Sequence, residues 1–200
     1  MYINAKIIVL AGGPASGKSS VLRLLKQRKT VSDINILFLD EVATSFLRNC
    51  PPVVRDKYDP FLLQFYILRS QQFAENALIQ NADPQKPTVL ITDRGSLDAY
   101  VYLTEKERRA MDSENFAQFW ERYDHVVYLK GCMENYLVDR ETQRLETDIE
   151  EVRATEEKAF RVWSQCRSFH CIGQQDNIEQ KVSLVIQNIH DYLGRDVFME

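Results

Sequence analysis

Eight residues near the start of the chain have the types and spacing of a triphosphate-binding site. Gly12–Ser19 reads Gly-Gly-Pro-Ala-Ser-Gly-Lys-Ser and fits the pattern G-x-x-x-x-G-K-S. Glycines let the backbone wrap so that several N–H groups point at phosphate oxygens, and a helix beginning near Gly17 adds the positive end of its dipole. Lys18 can reach the β and γ phosphates, and the Ser19 hydroxyl can complete the shell of a Mg²⁺ ion. The residues expected to contact the nucleotide are Gly12, Gly13, Pro14, Ala15, Ser16, Gly17, Lys18, Ser19 and Ser20.

Two acids at predicted strand ends could supply the second carboxylate of such a site. The apolar runs Ile36–Leu39 and Val89–Thr92 are each followed by an aspartate. Asp93 is the stronger candidate for Mg²⁺, because Arg94 and then a glycine follow it. A cation and a flexible turn would therefore sit at the carboxyl end of a strand, where parallel α/β sheets bind ligands. The other aspartate, Asp40, is expected to cap the helix that follows it.

Glu41 is the candidate for the group that acts on an acceptor. An acid at the end of the second strand, about one phosphoryl length from the loop, suits a residue that orients or deprotonates a substrate hydroxyl. The alternative is that Glu41 only caps the next helix by accepting from its free N–H groups. Arg94 likewise could form a purely structural salt bridge with a neighbouring acid. At this stage both alternatives stay open.

Two arginines later in the chain could form a lid. Arg140 and Arg144 are four residues apart and would share one face of a helix. Guanidinium groups carried by a closing segment can stabilise the charge that spreads over a transferred phosphoryl group, and they exclude water. The alternative is an ordinary solvated helix in which neighbouring acids pair with them. We expect the lid at about residues 133–150.

The elements that would position these residues alternate along the chain. Apolar, β-rich segments are expected as strands at Lys6–Ala11, Ile36–Leu39, Thr88–Thr92, His125–Leu129 and Ser168–Ile172. Segments of helical periodicity separate them, which predicts a parallel sheet covered by helices on both faces. A long helix is predicted from about Pro60 to Asn81, and Asp176 or Asn177 can cap the last helix. Without an internal repeat or linker, residues 1–200 are expected to form one domain.

Composition narrows the class of partner. The chain has 44 % hydrophobic and 27 % charged residues with a formal net charge of -4. Its positive charges form no basic tract, which favours small-molecule substrates over nucleic acid. No apolar run approaches the ~20 residues that cross a bilayer, and no leader cleavage site is visible, so no membrane association and a cytoplasmic location are expected. Neither zinc nor disulfide spacing is present among the cysteines and histidines. The sequence does not indicate an oligomeric state.

Several classes of phosphate-loop protein lack support. The guanine-reading motifs N-K-x-D and T-K-x-D do not appear, nor does the D-x-x-G switch after a strand, so a regulatory GTPase is not indicated. The transporter signature L-S-G-G-Q is also missing. The chain is too short for a phosphate-loop core plus the helical lid domain of a hexameric motor. The identity of the base stays open at this point, with adenine, and therefore ATP, favoured.

Taken together, the motifs resemble a family of small AAA-like phosphate-loop proteins. That family includes the ribosylnicotinamide kinase domains of bacteria and is related to nucleoside and nucleotide kinases. The resemblance covers about Lys6 to Ile172 and rests on the phosphate loop, Asp40–Ala43, Gln71–Glu75, Asp93–Tyr100 and Arg140–Glu146. It implies a three-layer α/β P-loop NTPase fold, with a five-stranded parallel sheet in the order 2-3-1-4-5 and a helical lid segment.

The resemblance also implies roles for individual residues. Asp93 would serve the metal, and Arg94 would approach the transferred or acceptor phosphate. Glu41 matches the acid that contacts the acceptor, and Gln71 or Gln72 would line the acceptor pocket.

The leading hypothesis is ATP-dependent phosphoryl transfer to a small metabolite, with a nucleoside or nucleotide favoured. The candidate catalytic residues are Lys18, Glu41, Asp93, Arg94, Arg140 and Arg144. The candidate substrate-binding residues are Glu41, Gln71, Gln72 and Arg94, and the candidate Mg²⁺ ligands are Ser19 and Asp93. The alternatives are a nucleotide-binding regulator without a small-molecule acceptor and, disfavoured by the acidic balance, a polynucleotide 5′-end kinase.

Overall fold

Five parallel strands form the centre of the protein. The computed structural model describes residues 5–50, 57, 59–112, 117–131, 149–175 and 177–199. The strands are β1 (Ala5–Ala11), β2 (Asn35–Leu39), β3 (Thr88–Asp93), β4 (His125–Leu129) and β5 (Phe169–Ile172). They pair in the order β2-β3-β1-β4-β5, and every pair is parallel. This confirms the predicted three-layer α/β class and the strand order, and each predicted strand lies within one residue of its observed bounds.

Helices connect the strands and cover both faces of the sheet. They are α1 (Lys18–Leu25), α2 (Val42–Asn49), α3 (Pro60–Gln80), α4 (Asp98–Tyr102), α5 (Glu105–Asp112), α6 (Ala117–Trp120), α7 (Ile149–Trp163) and α8 (Ile178–Leu193). The Asp59 side chain caps α3, which begins with a proline. Asn177 caps α8, as predicted, by accepting from the backbone N–H of Glu179 at 2.8 Å. Within the described ranges, no helix has both the length and the apolar character that a membrane span requires.

Alternate residues of the central strand β1 pack into two separate cores. Ile7 and Val9 face α3 and α7, where they join a cluster that contains Leu68 and Trp163. Ile8 and Leu10 face the opposite side, where they join the buried stripes of α1 and α8. Because the side-chain period of a strand is two, a strand buried on both faces reads as a continuous apolar run. The carboxyl ends of β1 and β3 are thereby fixed next to each other at one edge of the molecule.

His125, at the start of β4, should make the stability of the fold depend on pH. The residue is 4 % exposed, and its ring stacks on Tyr192. Its two nitrogens lie 2.7 Å from the Ser168 hydroxyl and 2.8 Å from the Asn188 side-chain oxygen. Burial, opposed in part by the Asn188 hydrogen bond, lowers the pKa of His125. We therefore expect the free energy of unfolding to fall as pH decreases through about 6.5, because the unfolded chain binds a proton that the folded protein binds less readily.

Urea unfolding at a series of pH values between 7.5 and 5.5 measures this effect. The comparison is with His125→Gln, which keeps a donor and an acceptor but cannot titrate. The variant should have a flatter dependence of the unfolding free energy on pH. Equal slopes for the two proteins would contradict a lowered pKa for His125.

Candidate functional site

The phosphate loop runs from the end of β1 to the start of α1. Gly12 and Gly17 have φ angles of 146° and 84°, in the region that favours glycine. A Cβ on Gly12 would lie 2.3 Å from the Leu129 carbonyl oxygen, so a larger residue would displace the loop from β4. The helix α1 begins at Lys18, where the free N–H groups of its first turn face the loop. Local geometry thus provides the anion-binding arrangement that the sequence pattern predicts.

Lys18 is buried and held inside the loop. Its ammonium donates to the carbonyl oxygens of Gly12 and Gly13 at 2.9 and 2.7 Å, and to the Ser16 hydroxyl at 3.0 Å. Burial, followed by the positive charge of Arg94, lowers the pKa of Lys18 to about 8, although Asp93 opposes the shift. A triphosphate would replace neutral acceptors with charged oxygens, and charge-assisted hydrogen bonds are the stronger kind.

Helix α7 packs directly on the phosphate loop. Glu156 accepts from the Gly131 backbone N–H at 2.9 Å, and the same glutamate covers Gly13. A Cβ built on Gly13 would lie 2.7 Å from Glu156 Cβ and 3.0 Å from its Cα. Gly13 is therefore required for close packing of a helix, in addition to its place in the loop. The other charged residues of α7 form a solvated face, where Glu157 and Arg161 pair at 3.4 Å.

The variant Gly13→Ala tests this packing. It should force α7 away from the loop and lower the free energy of unfolding by about 1–3 kcal/mol, the usual cost of overpacking. Gly173→Ala is the matched control, because none of the described atoms lies within 4 Å of a Cβ at that position. Chemical denaturation of both variants measures the difference, and equal stability of the two would contradict the packing argument.

Ser19 and Asp93 form a pair that fits a hard cation. The Ser19 hydroxyl donates to Asp93 Oδ2 at 2.6 Å. Asp93 is 1 % exposed, and its other carboxylate oxygen, Oδ1, has no hydrogen-bond partner in the described part of the chain. Burial raises the pKa of Asp93 against the opposing charge of Lys18. An orphaned carboxylate oxygen beside a hydroxyl is a suitable donor set for Mg²⁺, which also takes phosphate oxygens and water as ligands.

Glu41 and Arg94 line the same cavity as the phosphate loop and are joined by an ion pair. Arg94 Nε donates to Glu41 Oε1 at 2.6 Å, and Arg94 Nη1 lies 3.4 Å from Asp98 Oδ1. Thr44 donates its hydroxyl to Glu41 Oε2 at 2.8 Å. Burial alone would raise the pKa of Glu41, but the positive charge of Arg94 and the bond from Thr44 outweigh it and lower the pKa. Glu41 is thus an ionised carboxylate held in a defined orientation.

The backbone at Arg94 adopts a conformation that a non-glycine residue rarely takes. Its φ is 69°, which costs on the order of 1 kcal/mol. Hydrogen bonds hold this conformation: the Arg94 N–H donates to the Leu10 carbonyl at 3.1 Å, and its own carbonyl accepts from Thr92 at 2.8 Å and from Gln71 at 3.3 Å. Strained backbone held by several contacts is common at functional sites.

A buried polar network supports the backbone turn at Arg94. Gln71 also donates to Glu75 Oε1 at 2.9 Å, and Arg122 Nε donates to Glu75 Oε2 at 2.5 Å. Tyr123 donates to the same glutamate at 3.1 Å, and its hydroxyl contacts Ser96, next to the Arg94 turn. Sequence reasoning did not find Arg122, Tyr123 or Ser96. The available signal was the buried spacing of Gln71 and Glu75 on one helix face, which demands polar partners.

A cavity of about 580 Å³ connects these groups. Its lining includes the predicted residues Lys18, Ser19, Glu41, Gln71 and Arg94. It extends away from the loop between α2 and α3, where apolar side chains such as Leu47 and Ile67 line it. Such a mixture of apolar walls and a few polar groups is typical of a small-molecule site.

The remaining predicted residues lie elsewhere. Gln72 accepts from Arg69 at 3.3 Å on the outer side of α3 and is not among the described residues that line the cavity. Arg140 and Arg144 lie outside the described residues, as do all residues of the expected lid from 133 to 148. The last two residues of the expected lid, 149 and 150, are the first two of α7. The part of Arg140 and Arg144 in the site stays a prediction.

The expected role of Asp40 is wrong. Glu41, and not Asp40, occupies the N-cap position of α2, and neither side chain makes a capping hydrogen bond there. Asp40 instead points into solvent and accepts from Lys26 at 2.6 Å. The lysine at the end of α1 offers a full positive charge, which a carboxylate prefers to the partial charge of backbone N–H groups.

The parallel sheet, the glycine-lined loop and the buried lysine define a phosphate-loop nucleotide-binding domain. The family model described as an AAA domain matches residues 7–181. The chain therefore belongs to this AAA domain family, which implies nucleotide binding, usually with Mg²⁺. A comparison with curated proteins gives no significant match.

Proposed function

We propose that this protein transfers the γ-phosphoryl group of ATP to a hydroxyl group of a small metabolite of the nucleoside or nucleotide type. The observation that carries this proposal is the ionised Glu41, which lines the same cavity as Lys18. Hydrolysis requires only a water molecule, whereas this cavity continues past Glu41 between α2 and α3. The size and lining of that extension suit a second organic substrate.

In this proposal the chain's own groups bind the donor and prepare the acceptor. The loop N–H groups hold the β and γ phosphates, and Lys18 exchanges its three internal acceptors for phosphate oxygens. Mg²⁺, held by Ser19 and Asp93, would neutralise charge between the two phosphates. Arg140 and Arg144 are proposed to add positive charge around the transferred group.

Glu41 acts on the acceptor. Its carboxylate accepts the proton of the acceptor hydroxyl as that oxygen attacks phosphorus and the bond to the β-phosphate oxygen breaks. Arg94 keeps Glu41 ionised, and Thr44 fixes the second carboxylate oxygen, so that the carboxylate orientation is set before the substrate arrives.

The test supplies the purified protein with ATP, Mg²⁺ and one candidate acceptor at a time. The panel contains nucleosides, nucleotides, ribosylnicotinamide and oligonucleotides, and the readouts are ADP formation and the mass of the phosphorylated product. We expect ADP formation that depends on a small acceptor. A rate that is the same with and without every member of the panel would favour a nucleotide-binding regulator. Transfer confined to oligonucleotides would favour a 5′-end kinase.

A further inference from the structure

Helix α3 turns a polar face toward the interior of the protein. Its buried residues are Gln64, Leu68, Gln71 and Glu75, which follow one another at spacings of four, three and four and so share one side of the helix. Its exposed large apolar residues are Leu62, Tyr66 and Phe73, the last of them 77 % exposed. A helix packed on a sheet normally buries its apolar side chains. Helix α3 also packs apolar side chains against the core, among them Phe61, Phe65 and Leu78, so its buried polar residues are the part that needs an explanation.

Two of the three buried polar residues have their hydrogen bonds within the protein. Gln71 donates to Glu75, to the Thr92 hydroxyl and to the Arg94 carbonyl. Glu75 is paired with Arg122 and also accepts from a tyrosine. These contacts explain both residues as supports of the Arg94 turn, so neither needs a ligand.

Gln64 is different, because none of the described residues forms a hydrogen bond with its side-chain amide. It is 7 % exposed and lines the cavity between α2 and α3. In the part of the chain that the structure describes, the Gln64 side chain makes no hydrogen bond, although the residue lines the cavity. The Gln64 amide is not among the fully buried side-chain groups that lack a partner, so it stays accessible to a molecule in the cavity. A ligand group in the cavity would supply the missing partners.

The chemistry of the cavity narrows that ligand group. A glutamine amide offers a donor and an acceptor side by side in one plane, and so matches a planar group with the complementary pair. The neighbouring lining is apolar, with Val42, Leu63 and Ile67 in the same part of the cavity. Apolar walls favour a flat, uncharged group and disfavour a phosphate or carboxylate. Amide-type edges of this kind occur on nucleobases and on carboxamides, and glutamine forms paired hydrogen bonds with such an edge.

We propose that Gln64 recognises the acceptor through a planar amide-type edge, so that the acceptor carries a nucleobase or a carboxamide on the side opposite its reacting hydroxyl. The hydroxyl would lie at Glu41 and the planar group at Gln64, which are both lining residues of one cavity. This inference depends on the proposed function in one respect, namely that the bound molecule is the phosphoryl acceptor. Gln64 is thus a specificity-determining residue, and the reacting atoms lie elsewhere.

The test measures binding and transfer separately. Calorimetric titrations use adenosine, guanosine, cytidine, uridine and ribosylnicotinamide, with ribose as the matched compound that lacks a planar edge. The protein is the full chain with Mg²⁺ and a non-hydrolysable ATP analogue. We expect at least one of the first five to bind and ribose to bind far more weakly. Binding of a nucleoside would identify a nucleobase edge as the recognised group, and binding of ribosylnicotinamide would identify a carboxamide.

The variant Gln64→Leu should weaken binding of that compound about tenfold or more, because an apolar side chain leaves the edge of the ligand unpaired. Gln80→Leu is the control, since Gln80 is an exposed glutamine at the end of the same helix. It should bind as the wild type does. The free Gln64→Leu protein should melt at the same temperature as the wild type or higher, because the substitution breaks no hydrogen bond between described residues. A purely structural glutamine would give a lower melting temperature and unchanged affinity, which would overturn the proposal.

The outcomes separate this inference from the proposed function. If a nucleoside or ribosylnicotinamide binds through Gln64 but is never phosphorylated, the inference holds and the proposed function fails. If transfer occurs with the same KM in Gln64→Leu, the proposed function holds and the inference fails. Lack of binding of all five compounds to the wild type would also overturn the inference.

Discussion

Replacement of Lys18 by alanine should lower the rate of ATP turnover by about two to three orders of magnitude, the usual cost of removing a preorganised donor to developing negative charge. Lys18 lies at the first position of α1, and its ammonium is already directed into the phosphate loop by three acceptors. A triphosphate in the loop would lie within reach of the same group. The measurement is steady-state release of ADP with saturating Mg²⁺ and the acceptor identified in the panel.

Lys26→Ala provides the control for Lys18→Ala. Lys26 follows the last turn of the same helix and forms an ion pair with Asp40 near the surface. Exposed ion pairs contribute little to stability, so this variant should keep both its fold and its turnover. Thermal melts should show that Lys18→Ala is folded before its rate is interpreted. Turnover at the wild-type rate in folded Lys18→Ala would remove the basis for a phosphoryl-transfer site at this loop.

Replacement of Glu41 by glutamine should lower acceptor-dependent transfer by about 10²- to 10⁴-fold, the range typical of general acid–base catalysis. Glutamine keeps a side-chain oxygen that can accept from Arg94 or Thr44, the two present donors to Glu41. It cannot accept the proton of an acceptor hydroxyl. The loss should therefore fall on kcat, while the affinity for ATP, measured by titration, should change little.

Asp40→Asn is the control for Glu41→Gln. The two acids are adjacent in sequence, but Asp40 points into solvent and does not line the cavity within the described residues. Its variant should transfer phosphate at the wild-type rate. A Glu41→Gln protein with normal transfer would show that Glu41 is only a structural partner of Arg94. An equal loss of ATP affinity and transfer would likewise indicate a structural effect on the loop.

Features set by local sequence could be predicted. The phosphate loop is formed by eight consecutive residues. The strands follow apolar runs, such as those in β1 and β3, which end at Ala11 and Asp93. The strand order came from the resemblance of motifs, and the register Leu10 opposite Asp93 then brings the loop and the acid together. The sequence leaves open a salt bridge between Arg94 and an unspecified neighbouring acid, and the pairing with Glu41 follows from the same adjacency of strand ends.

Features set by contacts distant in sequence could not be predicted. Periodicity located α3, but the burial of Gln64 and the exposure of Phe73 depend on what α3 meets in the fold. The partners Arg122 and Tyr123 lie 47 and 48 residues from Glu75, and no pattern in the chain connects them. Asp40 was assigned to its nearest helix, whereas its real partner, Lys26, comes from the preceding one.

The place of Asp93 in the sheet determines which parts of the site can rearrange. It is the last residue of β3, which pairs with β1 on one side and β2 on the other, and the next amide donates to the Leu10 carbonyl. Amides in such a doubly paired strand exchange their hydrogens with solvent mainly when the whole domain opens. The acidic end of the site is then a fixed reference point for each turnover. Any closure that accompanies catalysis must bring ligands and peripheral side chains to Asp93. Slow exchange of the Arg94 amide hydrogen with solvent would show that this end of the strand stays fixed.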